Sequence, residues 1–178
     1  MGLFHTADEK EIKEGYVTDV FLKKFPEHYQ WGVFAGLEEA LNLLKGVPVH
    51  VWAMREGTIF RAFEPVMIIE GKYTDFGIFE TSLLGFLCHA SGIATKAARC
   101  RVAAGDRTLL SFGARRVHPA IAPMMDRSAF IGGCDGVSVL KSAEVIGQRA
   151  VGTIPHALVL IMGDTVRAIE AFHEVIDK

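Results

Sequence analysis

No Cys-x-x-Cys pair occurs in this chain, and its three cysteines, Cys88, Cys100 and Cys134, are odd in number. Both facts argue against a disulfide framework and a zinc knuckle, and unpaired thiols point to a reducing cytoplasm. The chain also lacks a G-x-x-x-x-G-K-[ST] loop, a G-x-G-x-x-G turn after a strand, an H-E-x-x-H pair and a G-x-S-x-G elbow. P-loop, Rossmann, zincin and α/β-hydrolase chemistry therefore lose their sequence basis. There is no block of Lys or Arg, and the net charge is -2, which argues against nucleic acid as a partner. Met1–Lys13 holds no apolar signal region. The longest apolar-rich stretch, Phe76–Ala94, carries Glu80 and His89, so it reads as a buried helix and not as a membrane span. Charge is scarce throughout: 22% of the 178 residues are charged and 50% are hydrophobic, with a mean hydropathy of +0.27. A chain this apolar calls for cover from a tight oligomer, a further segment, or both.

The patterning changes along the chain. Asp8–Glu14 is charged, Thr18 and Asp19 precede the apolar Val20–Leu22, and Phe25–Trp31 reads as a loop. Gly36–Leu44 has helical spacing, with Glu38 and Glu39 near its start. Val47–Met54, Ile59–Phe63 and Val66–Glu70 read as strands separated by Gly57-Thr58 and Glu64-Pro65. The first third is thus α+β with antiparallel strands. Asp75–Ala104 reads as one or two helices, with Gly92 a possible break, and its Ala, Ser and Gly residues from Ala90 to Ala98 permit close packing of another backbone. After Gly105-Asp106 strands Thr108–Phe112, Asp135–Val139 and Ala150–Thr153 alternate with helices Ala120–Ile131, Lys141–Ile146 and His156–Ile176, the last broken near Gly163. That alternation is the signature of parallel strands with crossover helices. The expected division is an α+β part over 1–104 and the first βα units of an α/β barrel over 105–178. Three units do not close a barrel, which needs about 200 residues or more.

Ser111–Ala120 carries the clearest chemical signal. A short apolar run ends in Gly113, Arg115, Arg116 and His118 follow, and Pro119 opens a helix. The cations stand past the carboxyl end of a strand, where α/β folds bind ligands, and two guanidinium forks suit a carboxylate or phosphate. A solvated Arg pair on a loop fits the same residues. Two further loops lie at later strands or their turns: Gly132–Gly136 with Cys134, Asp135 and Ser138, and Gly152–His156 with Thr153. On one rim these would suit an anionic, phosphate-bearing ligand. Each has a plainer reading: Asp135 as a turn acceptor, His156 as a polar helix start, Phe112 as core, and Cys134 as an inert thiol.

Taken together, Thr18–Phe21, Glu56–Phe60, Ser91–Lys96, Ser111–Ala120, Ile131–Ser138 and Gly152–Leu158 occur in an order that resembles nicotinate phosphoribosyltransferases of the archaeal type over nearly the whole chain. The resemblance implies a type II phosphoribosyltransferase fold, an N-terminal α+β open-faced sandwich followed by an irregular α/β barrel, in a homodimer or larger homo-oligomer. It implies condensation of nicotinate with phosphoribosyl pyrophosphate to nicotinate mononucleotide in NAD salvage, with Mg2+ accompanying the pyrophosphate and ATP as a possible co-substrate. By position, Phe112 would stack on the pyridine ring from one side and Phe21 of a neighbouring subunit from the other, with Asp19 bracing that segment. Arg115 and Arg116 would hold the nicotinate carboxylate and phosphoribosyl oxygens, with His118 on the same rim. Thr153 and His156 match the segment that holds a phosphorylatable histidine in ATP-coupled members.

Two departures from the family pattern stand out. Relatives carry about a helix and a strand more between Thr18-Asp19 and Trp31-Gly32-Val33, and they continue for about as long again past the position of Lys178. The expectation is therefore a chain holding the nicotinate end of a site. Its alternatives are a non-catalytic truncated or split subunit needing a C-terminal partner, and a decarboxylating quinolinate phosphoribosyltransferase.

Overall fold

The period-two pattern of Tyr16–Leu22 sets the layering of the first half. In the computed structural model, which describes residues 4–5 and 16–176, Thr18, Val20 and Leu22 are buried while Val17 is 60% exposed. Alternate side chains of a strand face opposite ways, so β2 (Tyr16–Leu22) presents one face to a core and one outward. With β1 (Phe4–His5), β4 (His50–Ala53) and β6 (Pro65–Gly71) it forms an antiparallel sheet ordered β1-β2-β6-β4. β3 (Gly32–Val33) and β5 (Ile59–Phe60) make a separate antiparallel pair. The charged Asp8–Glu14 stretch lies outside the described residues.

The core lies between that sheet and three helices. Helix α1 spans Leu37–Leu43, α2 spans Tyr73–Phe76, and after a 3-10 turn α3 runs over 25 residues, Glu80–Ala104. Val20, Leu22, Phe34, Phe60, Val66, Met67, Ile69, Phe76, Leu83 and Leu87 form one buried cluster. By length and composition the stretch Tyr73–Ala104 is apolar enough to cross a membrane. Its tertiary bonds are those of a core helix: Thr95 Oγ1 accepts from the Val33 N–H at 2.8 Å, and Ser91 Oγ accepts from the Ala35 N–H and donates to the Ala35 carbonyl, each at 3.1 Å. The expected break at Gly92 does not occur, because the helix is held on both sides of that residue and Gly92 stays within it.

The second half places β7 (Leu110–Ser111) parallel to β8 (Gly136–Val137), with α4 (Ala122–Ile131) crossing between them. α5 (Leu140–Ile146), α6 (His156–Met162) and α7 (Thr165–Ile176) follow, and Gly163 ends α6 with a positive φ of 69°. The expected third strand over 150–153 does not form a ladder. One bond, the Val151 N–H to the Val137 carbonyl at 2.9 Å, starts the pairing, and no neighbouring strand lies beyond it to extend the sheet among the described residues. The small residues of α3 serve close packing. A Cβ on Gly132, at the end of α4, would stand 2.2 Å from the Ala94 carbonyl oxygen and 2.7 Å from the Ala97 Cβ.

Candidate active site

Three polar clusters hold the parallel pair and its helix: one at the carboxyl ends of the strands, one at their amino ends and one joining α4 to the first half. Asp126 and Arg101, at the centres of the first two, were not singled out by sequence patterning. The first is Asp126, which is fully buried in α4. Its carboxylate accepts from Ser111 Oγ at 2.6 Å and from the Val139 N–H at 3.3 Å. The second is Arg101, near the end of α3. It donates to the carbonyls of Gly133, Gly105 and Arg107 at 2.8, 3.1 and 2.8 Å, and it pairs with Asp135. Asp135 also accepts from the Leu109 N–H at 2.7 Å. That N–H, then Arg101, holds the Asp135 carboxyl below its ordinary range.

The third cluster ties the two halves together. Glu56 accepts from the Gly36 and Leu37 N–H groups at 2.7 and 3.1 Å, and from both terminal nitrogens of Arg127 at 3.1 and 2.7 Å. Arg127 also meets Glu38 at 2.7 Å. Burial pushes the Glu56 carboxyl upward, but Arg127 and the two N–H donors outweigh it and set it below its usual value. A signal for Asp126 and Arg127 was present in the sequence: adjacent opposite charges inside an otherwise apolar helix must find partners once buried.

Phe112, Arg115, Arg116, His118 and Ser138 follow the carboxyl ends of these strands, whereas Asp135 precedes β8 and takes the N–H of Leu109, just before β7, so it stands at the amino end of the pair and not on the expected rim. Phe112, directly after β7, is 43% exposed, so it is not plain core. Arg115 and Arg116 form a 3-10 turn with Ala114 and are exposed, and neither has a carboxylate partner among the described residues. His118 caps the next 3-10 turn, its Nδ1 accepting from the Ala120 N–H at 3.2 Å. Ser138 follows β8 and is partly exposed, Thr153 is exposed on the loop before α6, and His156 is the exposed first residue of α6. Cys134 is buried, and that burial pushes its thiol upward, away from reactive thiolate character.

Asp19 and Phe21 lie elsewhere. Asp19 pairs across β2 and β6 with Ile68, and Phe21 sits at a register shift beside Pro65. The Phe21 ring meets Phe63 with centroids 5.9 Å apart. No hydrogen bond or ring contact joins either residue to the Arg115–His118 rim among the described residues. Of the residues singled out from the sequence, the chain therefore places Phe112, Arg115, Arg116, His118 and Ser138 at the carboxyl side of the parallel pair, Asp135 at its amino side, and Asp19 and Phe21 on the antiparallel sheet.

Two domain families match this arrangement. The model described as quinolinate phosphoribosyl transferase, N-terminal domain, covers residues 12–91, and the C-terminal domain model covers 93–178. A crystal structure of nicotinate-nucleotide pyrophosphorylase from Pyrococcus furiosus is 56% identical with a TM-score of 0.88, over 93% of this chain and 42% of that one. The human nicotinic acid phosphoribosyltransferase structure shares the fold at 23% identity and a TM-score of 0.74, over 84% of this chain and 37% of that one. The fold is therefore that of the type II phosphoribosyltransferases. The chain belongs to this family, and its N- and C-terminal domains follow each other along the sequence.

Among curated relatives, the nicotinate phosphoribosyltransferase of Bacillus subtilis is 28% identical over 89% of this chain and 38% of its own length. A nicotinate phosphoribosyltransferase of Mycobacterium tuberculosis is 35% identical over 76% of this chain and 30% of its own length. The chain thus spans about a third of the curated relatives it matches.

Proposed function

We propose that this chain carries the pyridine-binding part of a nicotinate phosphoribosyltransferase. The observation that carries the reading is the pair Arg115 and Arg116, exposed at the carboxyl end of β7 beside Phe112 and free of carboxylate partners among the described residues. Guanidinium groups on a rim, unspent on structural ion pairs, are available to an anionic ligand. The names of the curated relatives support nicotinate as the acceptor.

In this reading the nicotinate ring nitrogen forms a bond to the anomeric carbon of phosphoribosyl pyrophosphate, and pyrophosphate leaves with the electron pair of the broken C–O bond. The chain's task is to aim the ring and exclude water. Arg115 grips the pyridine carboxylate in a charge-assisted fork that a neutral amide cannot match. Arg116 and His118 face phosphoribosyl oxygens. Phe112 stacks on one side of the ring, and Phe21 of a second copy, braced by Asp19, stacks on the other. Ser138 and Thr153 supply hydroxyls, while Asp135, paired with Arg101 at the amino end of β8, serves the scaffold. The active form is a homo-oligomer, as Phe21 requires.

Mg2+ would arrive as the counter-ion of phosphoribosyl pyrophosphate, since no group of three or more His, Cys, Asp or Glu among the described residues is placed to hold a metal ion. His156, exposed at the start of α6, is the residue through which ATP coupling would act. In this reading the remaining phosphoribosyl contacts belong to the part of the relatives' length that this chain does not span. The alignment to the Bacillus subtilis protein runs to 188 positions although only 89% of this chain takes part, which supports internal residues in relatives that are missing here.

A quinolinate reading has two observations in its favour, the description of both domain models and the name of the 56%-identical Pyrococcus furiosus structure, a nicotinate-nucleotide pyrophosphorylase. Quinolinate bears a second carboxylate, and Arg115-Arg116 is the single adjacent arginine pair in the sequence. The deciding experiment follows product mass for the 178-residue chain with phosphoribosyl pyrophosphate and Mg2+, offering nicotinate or quinolinate, with and without ATP, and with and without the C-terminal half of a relative. The expected result is nicotinate mononucleotide from nicotinate once that half is added. Product from quinolinate alone would replace this reading with the decarboxylating one. Turnover by the unaided chain would remove the need for a partner.

A further inference from the structure

Asp126 is a carboxylate that the apolar pattern of its helix does not require. It is fully buried, and among the described residues no Lys, Arg or His pairs with it. An apolar side chain would fill the same space without needing hydrogen-bond partners, so packing alone gives no reason for it.

Its two donors are informative in their positions. Ser111 is the last residue of β7 and immediately precedes Phe112, and its hydroxyl donates to Asp126 at 2.6 Å. Val139 immediately follows Ser138 at the exit of β8, and its N–H donates to the other carboxylate oxygen at 3.3 Å. One side chain behind the parallel pair thus holds both strand exits, from which the rim loops spring. Ser111 is buried toward α4 while Phe112 is exposed, as alternation along an extended chain requires. The bond that fixes Ser111 therefore also fixes the direction of the ring that follows.

We propose that Asp126 is a positioning residue for the pyridine site, setting the aim of Phe112 and the placement of Ser138 without touching substrate. The inference rests on the function proposed above. A displacement of about 1 Å in such a constellation lowers rates by about a hundredfold, so a hydrogen-bonding anchor at the shared base of two loops has functional leverage that a packed apolar residue would lack.

The test compares the parent 178-residue chain with Asp126→Asn and Ser111→Ala. Nicotinate affinity is read by calorimetry, amide hydrogen exchange is read residue by residue, and thermal melting serves as the control. In both variants we expect nicotinate affinity to fall at least tenfold, with faster exchange at Val139 and over 112–113 and unchanged exchange in the middle of α3. A merely structural role would lower the melting temperature and leave the affinity of the folded protein unmoved, and that result overturns the proposal. Ser111→Ala keeps the test open should Asp126→Asn fail to fold. If the parent binds no nicotinate, the functional reading falls by itself. Exchange then still decides the positioning role: loosening confined to the two strand exits supports it, and unchanged exchange at Val139 overturns it.

Discussion

Replacing Glu56 by Gln tests the junction between the two halves of the chain. Oε1 of Glu56 serves the first N–H groups of α1, which have no partner within the helix, and both oxygens face Arg127 of α4. The side chains of Glu56 and Arg127 are 17% and 18% exposed. A carboxamide keeps one oxygen for Gly36 and Leu37 but turns an NH2 group toward the Arg127 donors, so the charge-assisted fork is lost. Bonds of that kind contribute about 1.5–3 kcal/mol each. Partial solvent access and the remaining Glu38 partner reduce the total to about 2–3 kcal/mol, below the roughly 3–5 kcal/mol for breaking a fully buried pair. At about 2–4 °C per kcal/mol for a chain of this size, the melting temperature at pH 7 should fall by roughly 4–12 °C.

The pH dependence of Glu56→Gln carries a sign as well. The Glu56 carboxyl is held below its ordinary value in the folded state, so its contribution is complete above the unfolded value of about 4.3. It is lost as the pH falls through the folded value. The difference in melting temperature between parent and variant should therefore be widest near neutrality and narrow below about pH 4. A difference under about 1 °C at pH 7, or one that does not narrow in acid, would refute the reasoning.

Gly132→Ala should cost about 1–3 kcal/mol or more by overpacking, because the added methyl would meet the Ala94 carbonyl at 2.2 Å and backbone cannot yield as a side-chain tip does. Gly152→Ala, with nothing within 4 Å of its Cβ, is the control and should melt like the parent. Arg101→Met removes the donor shared by Gly133, Gly105, Arg107 and Asp135, and should lower the melting temperature by roughly 3–12 °C in a differential scan. Arg115→Ala should weaken nicotinate binding roughly ten- to a hundredfold in a calorimetric titration. Its melting temperature should stay close to that of the parent because the side chain is exposed. Unchanged binding would remove Arg115 from the site.

Much of the architecture is legible in local sequence, because periodicity reports which face of an element is covered. The alternation through Val17–Leu22, the glycine at 163 and the small residues of α3 each appear in the structure as the chemistry of those residues requires. The rim is legible for a related reason: Arg115, Arg116 and His118 follow a strand directly, so their placement needs only local rules. Strand lengths and helix continuity are less so. The stretch 150–153 has the composition of a strand, yet a ladder depends on a partner brought from elsewhere in the sequence. Gly92 has the composition of a break, yet the bonds of Thr95 to Val33 in β3 and of Ser91 to Ala35 just past it hold the helix through it.

What local pattern could not show is pairing across distance. Asp126, Arg101 and Glu56 each take their meaning from partners far along the chain, the most distant 15, 34 and 71 positions away. In a sequence they are charges in apolar or turn segments with no visible partner across distance, and only the fold brings Ser111 and Val139 to one carboxylate. The sequence by itself determined the layering of the first half and the place of the cationic rim, because each follows from short-range spacing, while its six ordered motifs carried the resemblance to the phosphoribosyltransferases. Tertiary structure alone decided which charges are spent on holding the scaffold and which are left free to meet a ligand, because burial and partner distance exist only once the chain has folded.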